Sequence, residues 1–118
     1  MTTVGPYAPA VRAGDWLVTS GQLGILAGAG GPELAGDDIS AQAAQALENV
    51  AELLAGRGLG WRNVVKVNVY LTDIGDAAEF NSVYADALGD HRPARSMVAV
   101  AALPLGARVE IDAWAYSS

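Results

Sequence analysis

Cysteine is absent from the 118 residues, and histidine occurs once. Disulfides, thiolate nucleophiles, Cys-ligated zinc and iron–sulfur clusters are therefore excluded, and no metal site is expected. Basic residues are scarce as well: seven Lys and Arg against thirteen Asp and Glu leave a formal net charge of −6. A surface of that sign repels phosphates, so nucleic acid is not an expected partner. No apolar run approaches the ~20 residues that cross a bilayer, so no membrane association is expected. The opening Met1-Thr2-Thr3-Val4-Gly5-Pro6 has no basic flank followed by an apolar stretch. A secretory signal is thus not expected, and the default location is the cytoplasm. The glycines of Gly28-Ala29-Gly30-Gly31-Pro32 are not followed by a helix bearing Lys-Ser or Lys-Thr, so this run reads as a loop and not as a phosphate cradle.

What the chain does have is apolar substance. Hydrophobic residues make up 52% and charged residues 17%, the composition of a folded protein and not a disordered one. The length suits one domain, residues 1–118. Strands are expected over residues 10–12 and 16–22, joined through Ala13-Gly14-Asp15 as a hairpin. Residues 39–55 read as a helix with Ala43, Leu47, Val50 and Leu54 on one stripe and Gln45, Glu48, Asn49 and Glu52 mainly outside it. Asp38 or Ser40 is placed to cap its start, and Gly56 or Gly58 its end. Residues 64–72 alternate, with Val65, Val67, Val69 and Leu71 expected against the helices. A second helix follows, with Asp76 and Glu79 in capping-box spacing and Gly89 at its end. Strands over 96–102 and 108–116 complete the order β-β-α-β-α-β-β. Two helices cover one face of such a sheet, and the other would carry Tyr70, Trp114 and Met97. That surface is a poor one to leave in water, so further copies of the chain are expected to cover it, with clefts between subunits.

Several side chains suggest chemistry. Arg95, in Arg92-Pro93-Ala94-Arg95-Ser96, stands at the mouth of a strand behind a stiffening proline. Its planar fork matches a carboxylate bidentately; the alternative is a solvated surface Arg. Glu110 sits mid-strand between Val109 and Ile111, either as a general base in a cleft or, with Asp112, as an ordinary outward charge. Tyr7 follows Gly5-Pro6 and offers a phenol or simple packing. Ser20 and Gly21 end a strand, where glycine lets a ligand approach the backbone and the hydroxyl adds a donor; a tight turn is the alternative. Asn81, beside Phe80, either donates a hydrogen bond at a subunit junction or faces water. His91 reads as a solvated loop residue.

Taken together, Gly5-Pro6-Tyr7, Val18-Thr19-Ser20-Gly21-Gln22, Gln45-Ala46-Leu47-Glu48-Asn49, Val64-Val65-Lys66, Val69-Tyr70-Leu71-Thr72-Asp73, Phe80-Asn81, Arg92-Pro93-Ala94-Arg95-Ser96 and Val109-Glu110-Ile111 resemble the Rid family (reactive intermediate deaminases, also called YjgF). The resemblance implies a chorismate-mutase-like α+β fold, with two helices on one face of a mixed sheet, assembled as a homotrimer with three intersubunit clefts. It implies cofactor-independent hydrolysis of enamines and imines, such as 2-aminoacrylate and related 2-imino acids, to a 2-keto acid and ammonia. On this chain it would assign the substrate carboxylate to Arg95, the attacking water to Glu110 with Tyr7, and the imino end to Ser20, Gly21 and the backbone at Met97. Asn81 would support the junction. Ala8-Pro9, Leu23-Gly24 and Met97 depart from the family pattern, which bears on substrate range. A non-catalytic 2-keto-acid sensor or chaperone-like trimer is the alternative, although anion binding alone does not need Glu110. Ribonuclease activity fits poorly with the −6 charge, and chorismate mutase activity poorly with a single well-placed cation.

Overall fold

Helix α1 (Ile39–Ala55) forms where the apolar stripe repeats at helical spacing. Asp38 caps it by accepting a 2.8 Å hydrogen bond from the Ala41 amide. Gly58, at φ 73°, turns the chain away after the last residues of the helix. Ala43, Leu47, Val50 and Leu54 are all at most 1% exposed. Burying a side chain of the Leu or Val kind contributes roughly 1.5–3 kcal/mol, so this stripe fixes the helix on the sheet. The structure is a computed structural model that describes residues 5–28 and 30–118.

The main sheet has the order β1-β2-β8-β6-β7, with β3 also pairing with β8. Its strands are β1 (Ala10–Ala13), β2 (Trp16–Thr19), β3 (Gln22–Leu23), β6 (Val64–Leu71), β7 (Ala94–Ala99) and β8 (Val109–Tyr116). A separate two-stranded ribbon, β4 (Ile25–Leu26) with β5 (Glu33–Leu34), lies between β3 and α1 in sequence. Strands β6 and β7 are parallel, joined across helix α2 (Ala77–Leu88), and the other pairings are antiparallel. Both helices contribute to one core with Leu17, Val67, Val69, Leu71, Ile111 and Ala113 of the sheet. The opposite face leaves Val11, Trp16, Val98, Trp114 and Tyr116 exposed, with Trp16 edge-on to Trp114 at 6.3 Å and to Tyr116 at 5.1 Å.

The expected α+β architecture, with two helices on one face of a mixed sheet, is present. Several details differ. The strand expected over 16–22 stops at Thr19, where the register against β8 shifts by one residue and Thr19 Oγ1 accepts from the Ala113 amide at 3.0 Å. Pairing resumes at Gln22 and Leu23, opposite Ile111 and Glu110. Val65 is 42% exposed, because a bulge between Val64 and Lys66 puts Val64 inside in its place. Asp76 makes no capping hydrogen bond; its carboxylate pairs with Arg108 at 3.2 Å. Glu79 instead accepts from Ser40 Oγ at 2.6 Å. Asn49 is buried, not outside the stripe. Strand β7 starts at Ala94, so Arg95 lies within it. Met97 pairs with Val69 on the helix-facing side, where it packs on the core, so it is not part of the open face. His91 is half-buried, with Nε2 2.8 Å from the Val64 carbonyl oxygen.

Candidate active site

Sheet register decides where the two principal candidates point. Val67 pairs with both Arg95 on β7 and Ala113 on β8. Val67 and Ala113 are fully buried beneath the helices, so Arg95 projects from that same face. Tyr70, three residues along β6, pairs with Glu110. An odd separation reverses the face, so Glu110 leaves from the open side with Asn68, Tyr70 and Asp112. Within one chain Arg95 and Glu110 are therefore on opposite faces of the sheet.

Around Arg95 the surroundings are aromatic. Its guanidinium carbon stands 4.8 Å from the centre of the Tyr84 ring and 5.9 Å from that of Phe80. Both rings come from α2 and are buried, with centroids 5.7 Å apart. A cation held over ring faces is attracted by their quadrupoles while its N–H edge stays available. Among the described residues the guanidinium has no hydrogen bond or ion pair, unlike that of Arg108. Met97 follows on the same face. Asn81 is exposed on α2 beside Phe80. The buried Tyr84 hydroxyl has no hydrogen-bond partner among the described residues. Burial raises its pKa, against the lowering effect of Arg95 and Arg92.

Around Glu110 there is a cleft of about 290 Å³, lined by Tyr7, Gly21, Leu23, Ile25, Leu26, Pro104 and Glu110 among others. The carboxyl lies directly against Gly21. A Cβ added there would sit 2.6 Å from Glu110 Cδ and 2.9 Å from Cγ, closer than real contacts allow. Glycine at 21 is thus a requirement of Glu110's position and not of backbone conformation. Burial raises the pKa of Glu110 above its ordinary 4.5, and the neighbouring Asp112 charge raises it further. A carboxyl so tuned holds or releases a proton closer to neutrality. Asp112 itself accepts from Asn68 Nδ2 at 2.8 Å and from the Tyr70 hydroxyl at 3.1 Å. Ser20 does not offer its proton to the cleft: Oγ donates to the Ala8 carbonyl at 2.6 Å. That bond holds the Tyr7 segment against the end of β2.

The structure therefore gathers Tyr7, Gly21 and Glu110, with Ser20 beside them, and separates them from Arg95, Met97 and Asn81. One residue not marked as a site candidate shapes the cleft. Asn49 Nδ2 donates to the Leu23 carbonyl at 3.1 Å and the Ile25 carbonyl at 2.9 Å, tying the β3–β4 segment to α1. Its amide in a helix whose other inward residues are mostly apolar was the available signal. Gly24 permits the same approach: a Cβ there would lie 2.8 Å from Gln42 Cα.

Residues 1–117 match the family model described as endoribonuclease L-PSP. The chain is 42% identical over 110 residues to the 2-iminobutanoate/2-iminopropanoate deaminase of Bos taurus, covering 93% of this chain and 79% of that protein. The crystal structure of RidA from an Antarctic Psychrobacter superposes with a TM-score of 0.91 at 40% identity, over 98% of this chain and 92% of that one. Escherichia coli TdcF, solved with bound serine, superposes with a TM-score of 0.89 at 35% identity, over 98% of this chain and 91% of that one.

Proposed function

The chain belongs to the endoribonuclease L-PSP family, the YjgF/Rid proteins, and from that premise we propose that it is a hydrolytic deaminase of 2-imino acids and their enamine tautomers, working in a cleft built by two copies. The observation that carries this reading is the division of its parts. Arg95, ring-supported and unpaired among the described residues, leaves from one face of the sheet, and a pKa-raised Glu110 leaves from the other into a cleft at the sheet's β3 end. Neither half suffices for hydrolysis, and two copies that set the β7 edge of one beside the Glu110 cleft of the other supply both. A homotrimer closes such an assembly with three equivalent clefts. Sedimentation should return a trimer mass; a monomer at micromolar concentration contradicts it.

The chemistry follows from the groups present. Arg95 of one copy grips the substrate carboxylate through two parallel hydrogen bonds. Glu110 of another copy, with the Tyr7 phenol, holds a water against the iminium carbon. The water oxygen bonds to that carbon, the C=N electron pair moves to nitrogen, and a water proton passes to Glu110. The resulting carbinolamine accepts that proton on nitrogen. The C–N bond then breaks, the carbonyl forms, and the hydroxyl proton leaves with ammonia as ammonium. An enamine enters the same route after protonation at C3. Holding an already electrophilic carbon and a water in register supplies most of the acceleration. The family description includes an endoribonuclease, but a −6 charge disfavours a polyanionic substrate.

The test is a trapping assay. Imino acid generated by an amino-acid oxidase, or 2-aminoacrylate from a serine dehydratase, is captured by semicarbazide. The wild-type chain should suppress semicarbazone formation, and Arg95→Ala should not. Equal trapping with both proteins overturns catalysis in favour of a binding-only role.

A further inference from the structure

Where β2 gives way to β3, the chain carries one residue more than a regular ladder holds. Val18 stands opposite Trp114, and Gln22 stands opposite Ile111. Thr19, Ser20 and Gly21 therefore share the space opposite Asp112 and Ala113, which is a bulge. Each of the three has its own tie. Thr19 keeps its pairing with Ala10 on β1, and its hydroxyl oxygen accepts from the Ala113 amide at 3.0 Å. Ser20 leaves the ladder: its amide donates to the Pro9 carbonyl at 2.8 Å and its Oγ to the Ala8 carbonyl at 2.6 Å. Gly21 lies directly against the Glu110 carboxyl. The bulge thus touches both groups that hold the water, Glu110 directly and Tyr7 through the residues that follow it.

The Thr19 hydroxyl makes this bulge tolerable. Ala113 is fully buried and Thr19 is 5% exposed, so bulk water does not reach the Ala113 amide. An amide there without an acceptor would keep its whole desolvation penalty. The Thr19 side chain supplies the acceptor, which frees the main chain to step out at Ser20. Valine has nearly the same shape and no oxygen. With valine at 19, a main-chain oxygen from residues 19–21 must turn to Ala113, and Gly21 moves with it.

We propose that Thr19 is a positioning residue for the hydrolysis: its hydroxyl holds open the bulge in which Gly21 seats the Glu110 carboxyl and Ser20 ties down the segment after Tyr7. Thr19 itself touches no substrate. The inference rests on the deaminase reading, which gives Glu110 and Tyr7 their water, and adds a residue to it.

The experiment measures kcat and KM by semicarbazide trapping of an imine generated by an amino-acid oxidase, at a temperature where circular dichroism shows the proteins folded. Thr19→Val keeps the buried shape and loses the oxygen. Thr19→Ser keeps the oxygen and loses a buried methyl. A role in packing alone makes serine the worse replacement, and the proposal makes valine the worse one. Thr19→Val is expected to lower kcat about tenfold to a hundredfold, the effect of a misplacement near 1 Å, with KM within about twofold because Arg95 belongs to the other half of the site. Thr19→Ser is expected to keep kcat within about threefold of wild type, since the seat is intact. Thr19→Ala also lacks the oxygen and is expected to follow Thr19→Val, so the comparison holds if the valine protein does not fold. A valine or alanine variant that turns over like wild type, or a serine variant as impaired as they are, overturns the proposal. A wild type that processes no imine removes the deaminase reading and this proposal with it, whereas an active wild type matched by Thr19→Val removes this proposal alone.

Discussion

Replacing Gly21 by alanine probes the one contact that sets the position of the Glu110 carboxyl. The new methyl would lie 2.6 Å from Glu110 Cδ, whereas ordinary contact begins at 3.4 Å. The carboxyl must therefore retreat by at least about 0.8 Å, since Oε1 lies closer still, and a misplacement near 1 Å is enough to cost on the order of 10²-fold in rate. Gly21 is not among the glycines with positive φ, so alanine strains no backbone there. The displaced group is the far end of a flexible side chain, so the fold tolerates the change. The expectation is a kcat about a hundredfold lower, a KM close to wild type because Arg95 still holds the carboxylate, and a melting temperature within a few degrees. Single-turnover trapping of enzymatically generated imine separates kcat from KM. Gly60→Ala, where an added Cβ meets nothing within 4 Å, serves as the control and should match wild type. A Gly21→Ala protein that turns over within about threefold of wild type would refute the claim that this seat positions the reacting carboxyl.

Asp112→Asn removes the negative charge that helps raise the Glu110 pKa. Ionised Glu110 becomes easier to reach, so the acid limb of the kcat/KM profile should move to lower pH; an unmoved limb separates Glu110 from that titration. Tyr84→Phe keeps the ring beneath Arg95 and removes a buried hydroxyl that has no partner among the described residues, so activity should hold and the melting temperature should stay level or rise. Tyr84→Leu loses the cation–ring attraction of about 0.5–2 kcal/mol and should raise KM by about twofold to thirtyfold with less effect on kcat. Asn49→Ala strands the Leu23 and Ile25 carbonyls and should cost about 1–3 kcal/mol in denaturant unfolding.

The parts of the fold that local pattern controls were legible from residues alone. The stripe Ala43, Leu47, Val50, Leu54 is buried as expected, Asp38 caps α1, and Gly89 ends α2 at φ 63°. Where tertiary partners intervene, local pattern misleads. Asp76 has the spacing of a cap, yet Arg108 from the far end of the chain takes its carboxylate. Val65 continues a perfect alternation, yet a bulge against β8 turns it outward. Thr19 to Gln22 reads as unbroken strand, yet the chain steps out of pairing at Ser20 and Gly21 beside the Glu110 carboxyl. The site shows the same division. Arg95, Glu110 and Tyr7 are visible as residue types with suitable chemistry. That Arg95 and Glu110 face opposite ways follows from the parallel register of β7 on β6, a nonlocal pairing with no trace in either segment. The Asn49 clamp escaped for a similar reason, since its partners lie 26 and 24 residues earlier.

Mixing two inactive chains addresses most directly the idea that separate copies supply the gripping cation and the water-holding acid. Arg95→Ala and Glu110→Gln proteins are each prepared alone, then unfolded together in equal amounts and refolded. If every cleft takes residue 95 from one copy and residue 110 from another, random assembly rebuilds about a quarter of the clefts with both wild-type groups, and imine hydrolysis should return to about a quarter of the wild-type value. A refolded mixture as inactive as its two parents, despite confirmed exchange of chains, would contradict it.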